Sequence, residues 1–293
     1  MKTVNALIRR NMKLFFRDKG MFLTSLITPV ILLVLYATFL REVYRDSFLD
    51  NLPTIPAELL DGLVGGQLIS SILAVSAVTV SFCSNFLMVQ DKATGTIWDL
   101  RITPVKPWAL SLGYYAASLF CTLIICFVAA AVCLGYMAVT GWYMSAADVV
   151  LLLADVVLLV FFGTALSSVI NFFLSSQGQI SAVGTIVSSG YGFVSGAYMP
   201  ISSFAEGLQK LILFLPGTYG TGLLRNHAMG GVIRELESLQ VPDAAIQGLK
   251  DAMDCNLYFF GNLVSIPAMY GVLVLSTLVL LGIYILQNSL KKR

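Results

Sequence analysis

Few residues in this chain have the type and the company that chemistry needs. His227 is the only histidine, and without a neighbouring carboxylate or cysteine it reads as a surface residue in a glycine-flanked loop rather than a metal ligand. Of the five cysteines, Cys83, Cys121, Cys126 and Cys133 fall in apolar stretches and only Cys255 in a polar one. No extracellular disulfide is therefore expected, and they read as packing residues. No Ser/His/Asp set and no Cys/His cluster can be assembled, so no catalytic residue and no metal ligand is assigned. The phosphate loop Gly-x-x-x-x-Gly-Lys-Ser/Thr is missing too, which excludes ATP hydrolysis by that route. Asp148 and Asp155 stand two helical turns apart in an otherwise apolar run. A carboxylate at the centre of a membrane helix costs about 2.5–3.5 kcal/mol, so Asp155 requires a partner, a proton or water, whereas Asp148 lies near an interface.

The elements that position these residues follow from composition. The 293 residues are 57% hydrophobic and 12% charged, with a mean hydropathy of +0.84. A soluble chain carries about 25% charge, so this one is an integral membrane protein. The net charge of +2 is small and unevenly spread, which argues for membrane orientation and against a nucleic-acid partner. Charge-free stretches long enough to cross hydrocarbon predict an all-α fold with six transmembrane helices, at 21–40, 65–89, 109–139, 148–174, 180–199 and 262–287. The polar turn Ser175-Ser176-Gln177-Gly178-Gln179 separates the fourth from the fifth. Trp108, Trp142 and Tyr143 fit headgroup level. The N-terminal basic region is too long for a secretory signal, and no A-x-A-like cleavage site comes after the first span.

The positive-inside rule then orients the chain. Lys2, Arg9, Arg10, Lys13, Arg17 and Lys19 precede the first span, Lys92, Arg101 and Lys106 lie between the second and third, and Lys291, Lys292 and Arg293 come after the sixth. Arg41 and Arg45 are outnumbered by Glu42, Asp46, Asp50, Glu58 and Asp61 and fall on the other side. Both termini are thus expected in the cytoplasm. Residues 3–19 predict an amphipathic helix: Val4, Leu7, Ile8, Met12 and Phe15 share one face, and Arg9, Arg10, Lys13 and Arg17 the opposite one. Such a helix lies in the interface with its apolar side in lipid, or serves only as a topogenic anchor.

Between the second and third spans the chain reads from Asp91 through Gly95-Thr96-Ile97-Trp98-Asp99-Leu100-Arg101 to Thr103-Pro104-Val105. Thr94 or Thr96 is expected to cap a short helix through Arg101, which Pro104 and Pro107 end. This loop resembles the coupling segment of the type 2 family of ABC exporter permeases. The shared features are an acid four residues before Gly-Thr, a short helix, and Thr/Ser-Pro-Val; Trp98 stands where that family often has Glu. A second resemblance lies in Ser195-Gly196-Ala197-Tyr198-Met199-Pro200, then Leu215-Pro216-Gly217-Thr218-Tyr219, Leu223-Leu224-Arg225 and Gly230-Gly231.

The resemblance covers essentially the whole chain and implies a single permease domain over 1–293. Within it, 1–20 is the interfacial helix, 90–107 the coupling loop and 200–258 an extracellular segment with re-entrant helices after the fifth span. It implies separate ATPase subunits, which bring ATP and Mg, docking on Asp91, Gly95 to Arg101 and Thr103 to Val105. It also implies pairing with a second copy or a related permease, contact with membrane lipids, and residence in a bacterial cytoplasmic membrane. No cofactor is expected in this chain.

The residues themselves add two expectations. Met199-Pro200 should stop the fifth helix, after which Phe204–Leu215 is apolar but too short to span, and 232–256 reads as a helical hairpin in water, either a gate or a connector. Gln67, Ser71, Ala74, Val78, Ser81 and Asn85 share a face of the second span. Ser181, Thr185, Ser188, Gly192, Ser195 and Met199 share one on the fifth, flanked by Gly184 and Gly196. These small and weakly polar faces read as helix packing, as a dimer interface or as a pathway lining. The function expected is the permease half of an ATP-driven exporter for a drug, peptide or lipid. A polysaccharide exporter, an ion-coupled transporter or channel using Asp155, and a membrane enzyme or assembly scaffold are the alternatives.

Overall fold

The computed structural model describes residues 2–51 and 55–290, apart from the side chains of Ala37, Asp50, Asn51, Arg101, Ser289 and Leu290. Lys291, Lys292 and Arg293, counted above toward a cytoplasmic C-terminus, lie outside the described residues.

The chain is almost wholly helical. An amphipathic α1 (Lys2–Arg17) leads to α2 (Lys19–Leu35), whose N-terminus is capped by Asp18 accepting from the Met21 amide at 3.1 Å. A π turn at Tyr36–Leu40 joins α2 to α3 (Arg41–Asn51), so the helix runs on past the expected end of the first span. Arg41 and Arg45 on that extension pair with Asp61. Next come α4 (Ala57–Ala93), the short α5 (Thr96–Ile102), α6 (Pro107–Thr140), α7 (Ala146–Asn171) and α8 (Gln177–Val194). α9 (Glu206–Ile212), α10 (Pro216–Ser238), α11 (Asp243–Ala252), a two-residue-per-strand hairpin of β1 (Tyr258–Phe259) and β2 (Asn262–Leu263), and α12 (Ile266–Leu290) complete the chain. That hairpin departs from the all-α expectation.

α4 is the axis of the fold. Its 37 residues are buried almost throughout, and α2, α6, α7, α8 and α10 pack around it. Five helical stretches among the described residues are long and apolar enough to cross a membrane: Lys19–Leu49, Ala57–Ala93, Pro107–Thr140, Ala146–Asn171 and Ile266–Asn288. α8, at the expected fifth span, falls short of that apolarity, because Ser, Thr, Gly and Gln make up much of it.

Helix ends reflect local chemistry. Ser145 and Asp148 form a reciprocal capping box on α7, as do Ser176 and Gln179 on α8, so the polar turn lies where expected. α8 stops at Val194, before the anticipated Met199-Pro200 break. Gly196 takes a left-handed φ of +71°, and the Tyr198 amide returns to the Gly192 carbonyl at 3.0 Å. A glycine C-terminal motif therefore ends the helix before proline is reached.

The segment after α8 departs most from expectation. Pro216 opens a single 23-residue helix that carries Leu223-Leu224-Arg225 and Gly230-Gly231 on to Ser238. The hairpin expected at 232–256 exists, but its first arm is the end of α10, a helix packed against α4, α7 and α12: Val232, Ile233 and Leu236 are buried there, while Arg234, Glu235 and Glu237 stay exposed. Close approach makes this possible: a Cβ on Gly231 would overlap the Tyr143 carbonyl, and one on Gly220 would meet Leu159 Cδ1 at 2.6 Å.

Candidate functional site

At the end of the bundle that carries α5, two consecutive residues fix the foot of α4. Asp91 is buried and accepts from Arg10 Nη1 at 2.7 Å and from the Tyr114 hydroxyl at 2.5 Å, tying α4 to α1 and α6. Lys92 turns to the other side, where Nζ donates to the carbonyls of Asn171 at 3.1 Å, Phe172 at 2.8 Å and Leu174 at 3.1 Å. It thereby closes the carbonyl end of α7, where a cation also suits the helix dipole. Asp91 thus holds the stem of the loop rather than pointing outward. Burial works to lower the Arg10 guanidinium, but the hydrogen bond and charge attraction of Asp91, together with Tyr114, outweigh it and raise the group above its ordinary value.

Arg10 accordingly leaves the cationic stripe expected of α1, whereas Arg9, Lys13 and Arg17 stay exposed. The apolar side of α1 is also not given over to lipid. Leu7 and Phe15 are buried, with Leu7 Cβ 2.8 Å from where a Gly113 Cβ would stand on α6.

Beyond this stem, Gly95 at φ +81° turns the chain and is itself the N-cap of α5. Neither threonine caps the helix: Thr94 Oγ1 bonds back to the Gln90 carbonyl at 3.0 Å and also meets Thr96 Oγ1. Glycine wins here because an L side chain resists that φ. α5 buries Ile97 and leans Leu100 on the core, as Val105 does just beyond the helix, while Trp98 (61% exposed), Asp99 and Ile102 (84%) face away. Thr103 Oγ1 donates to the Leu100 carbonyl, Thr103 and Pro104 are exposed, and Pro107 starts α6. The Arg101 side chain is outside the described residues.

A groove of about 1080 Å³ runs between α2 and α8 with α4 as its floor. α8 supplies Ser181, Thr185 and Ser188, and Met199 beyond it joins the lining. Several α8 hydroxyls are spent on their own helix, as with Thr185 Oγ1 to the Ser181 carbonyl at 2.9 Å, so the wall is only weakly polar. The stripe expected on α8 divides. Gly192 lies beneath the Tyr198 ring, Ser195 is buried on the other side of the helix, and Gly196 forms the turn.

The α4 face read as helix packing, dimer interface or pathway lining is packed within the fold and does not line the groove. Gln67 and Ser71 are fully buried, Ser81 meets Thr164 at 3.2 Å, and Asn85 Nδ2 donates to Ser167 at 3.1 Å and Ser168 at 2.8 Å. Ser81 and Asn85 bond inward to α7, as buried polar groups must, and Cys83, Phe86 and Gln90 floor the groove instead.

At the opposite end, α7 and α10 are joined by acid–base pairs. Asp148 binds Arg234, and Asp155 Oδ2 lies 2.5 Å from His227 Nδ1 while Oδ1 accepts from the Tyr270 hydroxyl of α12. His227 is therefore a helical, largely buried partner of Asp155, not a loop residue. Arg225, 1% exposed, donates to Asp254 at 2.9 Å and to the Gly196 carbonyl, and Asp254 also accepts from the Ile201 amide at 2.9 Å. Burial raises the Asp254 carboxyl, and Arg225 only partly offsets this. Among the described residues no group of three His, Cys, Asp or Glu could hold a metal ion.

Sequence reading missed Tyr114, Tyr270, Arg225 and Asp254 as site members. The one local signal was an arginine set in the apolar run Leu223-Leu224-Arg225.

Comparison with curated proteins gave no match. The family model described as the ABC-2 type transporter matches residues 2–228, which include α1, the α5 end, the α2–α8 groove and the Asp155–His227 pair. With that match over most of its length and several apolar helices long enough to span a bilayer, the chain belongs to the ABC-2 type transporter family, as a multi-pass membrane permease subunit.

Proposed function

We propose that this chain is the membrane half of an ATP-driven exporter, working as a homodimer or beside a related permease, with two separate ATPase subunits. The observation that carries this reading is the half-open α2–α8 groove, apolar with scattered hydroxyls, on the same α4 rod whose foot is clamped to α1, α6 and α7. A wall of that character suits an amphipathic or lipid-like substrate, a drug, peptide or lipid, which it would solvate without strong bonds.

In this reading α8 spans as the fifth of six helices, α9 and the start of α10 are the re-entrant piece, and the α1/α5 end faces the cytoplasm of a bacterial cell. The ATPase grips Trp98, Asp99 and Ile102, with Thr103 and Pro104 at the rim. Motion of α5 reaches α4 through Gly95 and reaches α1 and α7 through Asp91 and Lys92. Closure of the ATPases on ATP and Mg rocks the two halves and opens the groove outward. Engagement of Asp155 by His227 and Tyr270 supports a holding role for that acid rather than ion coupling.

The test is purification of the tagged protein from its native membrane in mild detergent, with identification of copurifying subunits and assay of vanadate-sensitive ATP hydrolysis. A stoichiometric soluble ATPase is the expected result. A chain that transports in liposomes without any ATPase, driven by an ion gradient, would overturn the proposal.

A further inference from the structure

A cluster of aromatic rings stands where the re-entrant corner meets the β-hairpin. Phe214, between α9 and α10, makes edge contacts with Phe259 and Phe260, centroids 5.2 and 6.0 Å apart, and those two pack on each other at 4.8 Å. Phe214 is 64% exposed and Phe260 65%, and Leu211 and Leu263, three residues from each in sequence, are exposed as well.

Two relations bracket the level of this cluster, one from the membrane side and one from the start of α12. Leu215 and Pro216, directly after Phe214, share a crevice with Leu275 and Val279. Those are the tenth and fourteenth residues of the apolar α12, roughly 14–20 Å along it. The hairpin itself leads straight into α12, whose exposed Ile266 comes soon after Leu263. The patch is therefore continuous with the apolar flank of a spanning helix. The polar side of the hairpin faces the other way: the Tyr258 hydroxyl donates to Asp251 at 2.9 Å, and Asn256 bonds the same carboxylate at 2.7 Å.

We propose that the hairpin tip is a bilayer anchor, with Phe260, Phe259 and Phe214 seated at the boundary between headgroups and acyl chains and Tyr258 marking the water side. Aromatic residues favour that layer, and a compact cluster with a polar back is shaped for it. Partition of the rings into lipid sets the height of the α9–α10 corner, and with it the depth to which α10 enters the bundle. A protein partner on this patch is the competing occupant.

The test uses the full-length chain, with its copurifying subunits, in phosphatidylcholine nanodiscs. Phe260→Cys carries an environment-sensitive NBD label, and Leu239→Cys, on the exposed α10–α11 turn, carries the same label as the aqueous reference. At position 260, blue-shifted emission is expected, with quenching by a shallow doxyl-phosphatidylcholine several-fold stronger than at 239 and weak quenching by iodide. Phe214→Cys and Leu263→Cys should report the same layer, so that a misfolded Phe260 variant does not decide the matter. Iodide quenching equal to that at 239 would overturn the proposal, as would protection from both quenchers, which marks a protein cover.

Discussion

His227 Nδ1 and Asp155 Oδ2 lie 2.5 Å apart on facing helices, 72 positions apart in sequence. Seven residues away on each helix, Arg234 meets Asp148. The two pairs keep a heptad register between antiparallel α7 and α10, and Tyr270 brings α12 to the inner one. Asp155→Asn or His227→Gln should each cost about 2 kcal/mol, between the worth of a hydrogen bond within a membrane bundle and the cost of a stranded buried charge. A double-mutant cycle on thermal unfolding in micelles checks this. Strict additivity of the two changes would mean the side chains do not interact.

Two glycines should respond oppositely to alanine. Gly231→Ala would drive a methyl into the Tyr143 carbonyl, so α10 must move away from the α6–α7 turn, and a large loss of folded, monodisperse protein is expected. Gly135→Ala on α6 meets nothing within 4 Å and should be neutral or stabilising, by up to about 1 kcal/mol. Size-exclusion profiles and melting temperatures of the two variants separate these outcomes.

Asp91→Lys sets like charges beside Arg10 and removes the acceptor of Tyr114, and Gly95→Ala puts a side chain at φ +81°. Both variants should insert normally yet hydrolyse ATP without transporting, because α5 is no longer rigidly joined to α4. Transport and ATPase rates measured together in proteoliposomes decide the point. Unchanged transport per ATP would remove these residues from any coupling role.

Cys255 is held in the network of Arg225 and Asn226, 1% exposed, and burial pushes its thiol up to about 12. A thiol reacts as its thiolate, so at pH 7 Cys255 should resist maleimide in the folded protein and label readily after denaturation. Peptide mass spectrometry of the alkylated chain, with and without denaturant, measures this. Rapid native labelling would show that the Arg225–Asp254 region opens.

Sequence patterning read some elements well and others poorly, for identifiable reasons. α6 and α7 were legible because their apolar runs are long and Ser145 and Pro107 mark their starts. α10 was not: glycines at 217, 220, 222, 230 and 231 lower helix propensity and look like a loop. In the fold Gly220 and Gly231 let the helix approach Leu159 and Tyr143, and Gly217 lets it approach Tyr191, so tertiary packing overrides local preference. The loop around Gly95 was visible as a turn-helix unit, but its cap was assigned to threonines because a positive φ leaves no mark beyond the glycine itself. Asp155 announced the need for a partner, yet periodicity on one helix cannot name a residue on another. The α4 stripe was correctly seen as one face, but a helix surrounded on all sides turns its polar face to neighbours.

Arg225 has a consequence for the order in which the chain is made. His227 and Arg234 meet acids on α7 that leave the ribosome before α10 does, so two of its three pairings can form as soon as it emerges. Asp254 comes 29 residues after Arg225. Until it has emerged from the ribosome, the guanidinium has the Gly196 carbonyl as its partner, and seating α10 fully would strand a charge. Full seating of this helix therefore waits for the residues just beyond α11 to emerge: a nascent chain stalled with Asp254 still inside the ribosome should hold α10 loosely, and one extended until Asp254 is outside should lock.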